Sequence, residues 1–358
     1  MNEENRRKRF KETLTNENCD CFLVTKRENI RYLTGFTGSF SFLLFAQNKV
    51  FLLTDFRYME QASKETSGVE IVQLKKYHFS YFIFEIMKKE GYQNLGFEFS
   101  NLSYEAYTKL THFLKPERLI AYQNFVEDLR MVKDKDELIL IEQAEAIGDM
   151  AFKNILSFIK VGVKEKDLAL ELDYQMRKLG ASGNSFETIV ASGYRGALPH
   201  GIASEKVIED GDLVVMDFGC FYQGYASDMT RTVGVGKVSQ KAREVYQVVL
   251  EAQLRALEGI KAGLKGKEIH FIAEKVIDEA GYGAYFGHGL GHSVGLEIHE
   301  SPNFNPLENR LLEVGMCITV EPGIYLPNEF GIRIEDLIVI EENGYKNLTK
   351  SPKELLIF

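Results

Sequence analysis

Two stretches of this chain, KVGVKEKDL at 160–168 and KAGLKGKEI at 261–269, match at an offset of 101, and Gly180 and Gly281 keep the same offset. Further on, EDGDLVVMDFG at 209–219 matches EVGMCITVEPG at 313–323 at an offset of 104, which lays Asp217 on Glu321. An internal repeat of this length limits the fold to related supersecondary units that bury their apolar faces together. Each unit reads as helices followed by a β-hairpin. The two should therefore face each other across a pseudo-two-fold axis, with a site between them.

The first hairpin is VVMDFGCFYQGYASDMTRTV, in which Asp217 and Asp228 are symmetric about a turn centred between Tyr222 and Gln223. That symmetry predicts cross-strand neighbours on one face of a sheet. In CITVEPGIYLPNEFGIRIEDLIVI, Glu321 and Glu335 are symmetric about Asn328, the middle of a Pro-Asn-Glu turn. An acid in a strand, taken alone, is more often an edge charge or an ion-pair partner. Four of them, paired in otherwise apolar and β-branched strands, would repel one another and lose their hydration, so a cation has to hold them. A divalent metal is the economical answer.

Histidine is the third ingredient. Of the seven in the chain, His288, His292 and His299 fall in GHGLGHSVGLEIHE at 287–300, and His200 lies in ALPHG. Imidazole is the nitrogen ligand that joins carboxylates at transition-metal sites, and an oxygen-rich set with one histidine favours a harder ion such as Mn²⁺. His270, on an apparent helix face, and His78 and His112, nearer the N-terminus, read as structural.

A length of 358 residues suits two domains. Residues 1–125 alternate short strands and helices, an α/β pattern: CDCFLVTK and SFSFLLFAQNKVFLLTD read as strands, the latter turning at Gln47-Asn48-Lys49, while YMEQASKET and LSYEAYTKLTHFL read as helices. NIRYLTGFTGS carries Gly35 and Gly38 without a following Lys-Ser/Thr, so it reads as a packed turn and not as a phosphate loop. Past the boundary, Asp134 and Glu137 are spaced as a capping box ahead of an apolar stripe of Leu138, Ile141, Ala144 and Ile147. The second domain then spans 126–358, and the chain as a whole falls in the α/β (α+β) class.

Composition removes other classes. With 45% apolar and 27% charged residues the chain should fold throughout, and a net charge of −9 argues against a nucleic-acid partner. No window approaches 18 apolar residues without charge, so no membrane span is expected. MNEENRRKRFKETL has no apolar run behind its basic stretch and reads as a solvated helix face beside Phe10 and Leu14, not as a signal peptide. The four cysteines, Cys19, Cys21, Cys220 and Cys317, form no Cys-x-x-Cys pair, which suits a reducing cytoplasm.

The order Asp217, Asp228, HGLGHxxGLxxHE, EPGIY and GIRIED resembles the proline-specific metallopeptidases of the pita-bread fold, the Xaa-Pro aminopeptidases and Xaa-Pro dipeptidases. LRMVKDKDELILIEQA is similar to the entry into their catalytic domain, and residues 1–125 resemble their creatinase-like N-terminal domain. The resemblance implies two divalent metals, Mn²⁺ first with Co²⁺ or Zn²⁺ as substitutes. Asp217 would hold one, His292 and Glu321 the other, and Asp228 and Glu335 both. It implies further that Glu321 shuttles a proton, that His299 stabilises the developing oxyanion, that His200 contacts the scissile amide and that His288 lines the proline pocket. Arg333 would pair with a ligand carboxylate, with Tyr325 in a similar supporting role. The substrates implied are peptides with proline in second position, and the assembly a homodimer.

Asn303 stands where some dipeptidases of this kind carry Arg, which favours an aminopeptidase acting on longer peptides. A strict dipeptidase is the alternative, with Arg310 or Arg333 supplying the charge for the free carboxylate. Two rivals are a metal-free peptidase-like binding protein and a creatinase-type hydrolase, neither of which needs all five ligand side chains.

Overall fold

In the computed structural model, which describes residues 3–46, 49–75 and 78–358, the chain divides into two units, Met1–Arg130 and Met131–Phe358. The first is built on a six-stranded sheet of order β4-β3-β2-β1-β5-β6, with β1 (Cys21–Val24), β2 (Phe42–Ala46), β3 (Val50–Thr54), β4 (Glu70–Gln73), β5 (Leu95–Glu98) and β6 (Leu119–Tyr122). β2 is antiparallel to β1 and β3, and the outer pairings β3–β4, β1–β5 and β5–β6 are parallel. β2 and β3 pair as the expected hairpin, whose tip at Gln47 and Asn48 lies outside the described residues.

The opening stretch forms helix α1 (Glu3–Thr15), and the helical spacing of Arg6, Phe10 and Leu14 turns all three inward. Phe10 meets the rings of Phe22, Phe45 and Phe125 edge-on at 4.6–5.6 Å, so truncating it should cost about 3–5 kcal/mol. Arg6 departs from the solvated-face expectation. It is 3% exposed, its guanidinium lies over the Tyr32 ring and it donates to the Tyr32 carbonyl, because an arginine stem can pack while its head finds acceptors.

NIRYLTGFTGS is likewise not a simple turn. Residues Arg27–Thr34 form α2, which stops where Gly35 adopts φ +78°, a left-handed cap that glycine takes without strain. α3 (Met59–Glu65), α4 (Phe79–Glu90) and α5 (Tyr104–Thr111) complete the layers around the sheet, and the short α6 (Glu127–Arg130) closes the unit. Arg130 on α6 donates to Asn29 on α2 at 2.6 Å, which keeps residues 126–130 with the first unit and carries it past the expected boundary at 125.

The second unit opens with α7 (Lys135–Ile155), whose N-terminus carries the expected reciprocal capping box of Asp134 and Glu137, worth about 1 kcal/mol. The repeat is then plain in the helices. α8 (Glu165–Lys178) and α10 (Gly266–Glu279) are both 14 residues long and begin 101 positions apart, and α9 (Gln240–Gly259) stands beside α10 as α7 stands beside α8. One core packs α7 and α8 on Val214, Met216 and Phe218; the other packs α9 and α10 on Ile318, Val320, Ile338 and Ile340.

Beneath the first core lies an antiparallel sheet of order β12-β9-β8, made of β8 (Ile189–Ser192), β9 (Leu213–Phe218) and β12 (Met229–Gly234). The hairpin continues through β10 (Cys220–Tyr222) and β11 (Tyr225–Ala226), with β7 (Gly183–Asn184) beside β10. The register corrects the expectation. Tyr222 pairs with Tyr225, so the turn is Gln223-Gly224, with φ of 44° and 80°. Two consecutive positive φ values make the two-residue loop that matches strand twist, and Gly224 is the residue that suits it. Asp217 therefore sits opposite Thr230, not opposite Asp228.

The second half carries β13 (Gly291–Ser293), β14 (Glu300–Phe304), β15 (Cys317–Val320), β18 (Asp336–Glu341) and β19 (Gly344–Asn347) in the order β14-β13-β15-β18-β19, with β16 (Gly323–Leu326) and β17 (Phe330–Arg333) as a two-stranded extension. Here the register is as read. Leu326 pairs with Phe330 and Val320 with Asp336, all centred on Asn328, which takes φ 62°. Glu321 and Glu335 thus lie at the seam between the two strand pairs, next to the Val320–Asp336 pair.

Candidate metal centre

Strand alternation decides which side chains can meet. On β9, Val214, Met216 and Phe218 enter the helix-packed core, leaving Asp217 on the opposite face with Thr230 across from it. On β15, Ile318 and Val320 are committed to the other core, so Thr319 and, one step beyond the strand, Glu321 turn the other way. Asp217, Asp228, His292, Glu321 and Glu335 all line one cavity of about 710 Å³, together with His200, His288, His299, Tyr325 and Arg333. Every candidate ligand and catalytic residue named from sequence lies on its wall, whereas Arg310, the other arginine considered for the substrate's free carboxylate, does not.

Within that cavity, ligand-capable atoms of Asp228, His292 and Glu335 lie within 4.8 Å of one another. His292 Nε2 is 3.4 Å from Asp228 Oδ2 and 3.5 Å from Glu321 Oε1. Asp228 and Glu335 are 5% and 1% exposed. Burial pushes the carboxyls of both well above the usual range, and the neighbouring acids push them further. Asp217 is raised for the same first reason, with Arg333 opposing the shift.

Each half supplies the anchor for an acid of the other. Arg333 on β17 donates from Nη2 to Asp217 Oδ2 at 2.6 Å, and Thr230 on β12 donates from Oγ1 to Glu335 Oε2 at 2.7 Å. The remaining oxygens, Asp217 Oδ1 and Glu335 Oε1, are buried with no hydrogen-bond partner among the described residues. A carboxylate with one oxygen held by protein and the other buried and bare is arranged for a cation, so the residues present fit a divalent metal. The donor set, four carboxylates and one imidazole without thiolate, is that of a hard or borderline ion.

Thr230 and Thr319 were not singled out from sequence. Thr319 Oγ1 accepts from the His292 N–H at 3.0 Å and is 3.1 Å from Glu321 Oε1, so it ties two candidate ligands together. A threonine in a strand is ordinary; only the register onto an acid could have flagged either. Gly291 is needed beside them, since a Cβ there would lie 1.9 Å from the Thr319 carbonyl oxygen.

The other histidines are set by different elements. His299 meets His292 edge-on at 4.4 Å, and burial, then the neighbouring His292, lowers its pKa. His288 Nε2 is 2.9 Å from the Tyr325 hydroxyl, which also accepts from Arg333 Nη1 at 2.8 Å; burial lowers the His288 pKa. His200 follows Pro199, whose carbonyl accepts from Arg333 Nη1 at 3.3 Å. That segment rests on β17 because Gly196 and Gly331 leave no room for a Cβ on either side. His78 and His112 lie in the first unit, and His270, buried on α10, accepts from the Leu290 N–H outside the cavity lining.

Residues 139–342 match Metallopeptidase family M24, and residues 6–132 match the Creatinase/Prolidase N-terminal domain. The chain belongs to metallopeptidase family M24. It is 40% identical over 352 residues to the Xaa-Pro dipeptidase of Pyrococcus horikoshii, covering 98% of each chain. The structure of the Xaa-Pro dipeptidase from Bacillus anthracis superposes with a TM-score of 0.97 at 46% identity over 100% of both chains. That of the X-Pro aminopeptidase from Thermotoga maritima superposes with a TM-score of 0.91 at 40% identity, over 97% of this chain and 100% of the other. The pita-bread catalytic fold and the creatinase-like first unit follow, and with them a metallo-exopeptidase. No helix among the described residues is long and apolar enough to cross a membrane.

Proposed function

We propose that this chain is an Xaa-Pro dipeptidase, a prolidase, that uses two divalent metals held by Asp217, Asp228, His292, Glu321 and Glu335. The observation that carries the reading is the pair of bare, buried oxygens on Asp217 and Glu335, two residues of a cavity wall that also carries His200, His288 and His299. The likeness to Xaa-Pro dipeptidases over nearly the full chain moves the preference from the aminopeptidase expected from Asn303 to the dipeptidase.

When bound, such metals polarise a carbonyl and make water nucleophilic near neutral pH, and Mn²⁺ suits the oxygen-rich donors. The protein does the rest. Arg333 and Thr230 each hold one oxygen of Asp217 and Glu335, leaving the other buried and bare. Glu321, at the seam of β15 and β16, takes the proton from the attacking water at a carboxylate oxygen and passes it to the proline nitrogen as the bond breaks. His299 donates to the carbonyl oxygen as negative charge develops on it, and His200 contacts the scissile amide. Pro199, Ile202, Phe186, Ile298 and the His288 ring offer the apolar wall that a pyrrolidine ring fills. A ring fixed in φ and lacking an N–H gains contacts there that a flexible secondary amide does not.

A second reading, release of the first residue from longer Xaa-Pro peptides, has one observation in its favour. Arg333 is the lone Arg or Lys on the described cavity wall, and its guanidinium is already engaged with Asp217, Thr230 and Tyr325. A free substrate carboxylate would then have to be met by histidine or by Asn303 and Asn305. Hydrolysis of Xaa-Pro, Xaa-Pro-Yaa, Xaa-Ala-Yaa and N-acetylated Xaa-Pro-Yaa with Mn²⁺ separates the cases. A prolidase turns over the first best, an aminopeptidase the second as well, and turnover of the alanine or acetylated peptide removes both. The homodimer implied by the family resemblance and a cytoplasmic setting, consistent with four buried, unpaired cysteines, complete the proposal.

A further inference from the structure

We propose that Lys133, buried against Glu300, is a positioning residue for His299; the inference rests on the reading of His299 as the group that meets the substrate carbonyl. Lys133 Nζ is 3.3 Å from Glu300 Oε2, with the two side chains 1% and 7% exposed. The lysine is itself held. Its N–H donates to the Gly315 carbonyl, its neighbour Val132 bridges to Met316, and Nζ also donates to the Met131 carbonyl at 3.3 Å.

Glu300 is the residue after His299 and the first of β14. Its Oε1 accepts from the Glu297 N–H at 3.1 Å, so one carboxylate joins the fixed ammonium to the loop that leads into His299. The loop is folded tightly over that carboxylate, since a Cβ on Gly295 would fall 2.6 Å from both oxygens. Gly295 in turn accepts from the Ala226 N–H at 2.8 Å, two residues before Asp228.

The pairing of β13 with β14 gives the ion pair its purpose. It breaks register between His292, opposite Asn303, and Ser293, opposite Glu300. A strand end next to a break in register can slip, and a slip of one residue turns each side chain to the other face. At this end of β14 the slip would carry His299 away from His292 and out of the cavity. A buried ion pair adds little net stability over an apolar pair of equal volume, and the role inferred for this one is to specify a single arrangement. Lys133 thereby sets where His299 stands without touching substrate.

The test replaces both charges together, Lys133→Met with Glu300→Gln, so that neither is left buried alone. With saturating Mn²⁺ and an Xaa-Pro dipeptide, kcat should fall about 10–100-fold while KM and bound metal stay within about twofold of the parent. Introduced into a His299→Ala background, the same two changes should lower kcat by less than about threefold, because the group they position is already gone. A kcat within twofold of the parent in the first case, or a full multiplicative loss in the second, overturns the inference. Should the double variant not fold, Glu300→Asp, which keeps the charge and shortens its reach, is read by the same two outcomes. If the parent itself fails to cleave any Xaa-Pro substrate, it is the functional reading that falls.

Discussion

The two halves of the catalytic unit present the same device in unequal form. In the first, Asp217 and Asp228 lie on a hairpin closed by Gln223-Gly224, so Asp217 faces Thr230 and the two acids are diagonal neighbours. In the second, Glu321 and Glu335 hold symmetric positions about Asn328, next to the aligned pair Val320–Asp336. The short aspartates come from the offset pair and the longer glutamates from the aligned pair. Neither half is complete without the other, because Arg333 anchors Asp217 and Thr230 anchors Glu335. The repeat therefore supplies the scaffold, and the differences between its halves supply the cross-bracing of the site.

The largest expected effect follows removal of Asp228 or Glu335, the acids proposed to be shared by both metals. Asp228→Ala and Glu335→Ala should each lower kcat/KM by more than about 10³-fold and cut bound metal below two equivalents, with a soluble fold. Metal analysis that finds two full equivalents in either variant would remove that residue from the ligand set. His299→Ala and His200→Ala should instead lower kcat by about 10²–10³-fold with metal content unchanged, as loss of one oxyanion donor does. An emptied site in either would make that histidine a ligand.

Cross-bracing predicts a smaller and symmetric effect. Thr230→Val frees Glu335 Oε2, and Thr319→Val frees Glu321 and the His292 N–H, so each should weaken metal binding or activity by about 10–100-fold. If Thr230→Val harms only metal retention and Thr319→Val only turnover, the two halves are specialised and not merely braced.

The smallest effect is on stability. Asp228 and Glu335 carry raised carboxyl pKa values because burial and neighbouring acids disfavour their charge. A folded-state pKa above the unfolded one means that the folded chain binds more protons, so stability is present at low pH and lost as pH rises through the raised values. In the metal-free protein these two carboxyls should lower thermal stability as pH rises through their raised values, with roughly 2–4 °C for each kcal/mol. Chelated Asp228→Asn and Glu335→Gln variants whose melts drop with rising pH as steeply as the chelated parent's would contradict it.

How much of this was legible in the sequence follows from what each pattern encodes. The repeat offset of 101 reappears in α8 and α10 to the residue, because helix length and the glycine caps are local properties. Asn328 announced its turn, with Pro before and Glu after it. The symmetry of the acids places the first turn one position before Gln223-Gly224, whereas the glycine that tolerates positive φ sets it. The ligand candidates were visible as acids and histidines in apolar strands. Thr230, Thr319 and the Lys133–Glu300 pair were not, since their significance lies in long-range register that no local pattern carries.

The bare oxygens of the acid cluster are proposed to hold metal for Xaa-Pro hydrolysis. Stripping the protein with a chelator, counting residual metal and titrating Mn²⁺ back while following cleavage of an Xaa-Pro dipeptide tests it directly. Activity should vanish in the stripped protein and return to its full value as two equivalents bind per chain. Full activity at less than about 0.1 equivalent of any divalent metal would contradict the account.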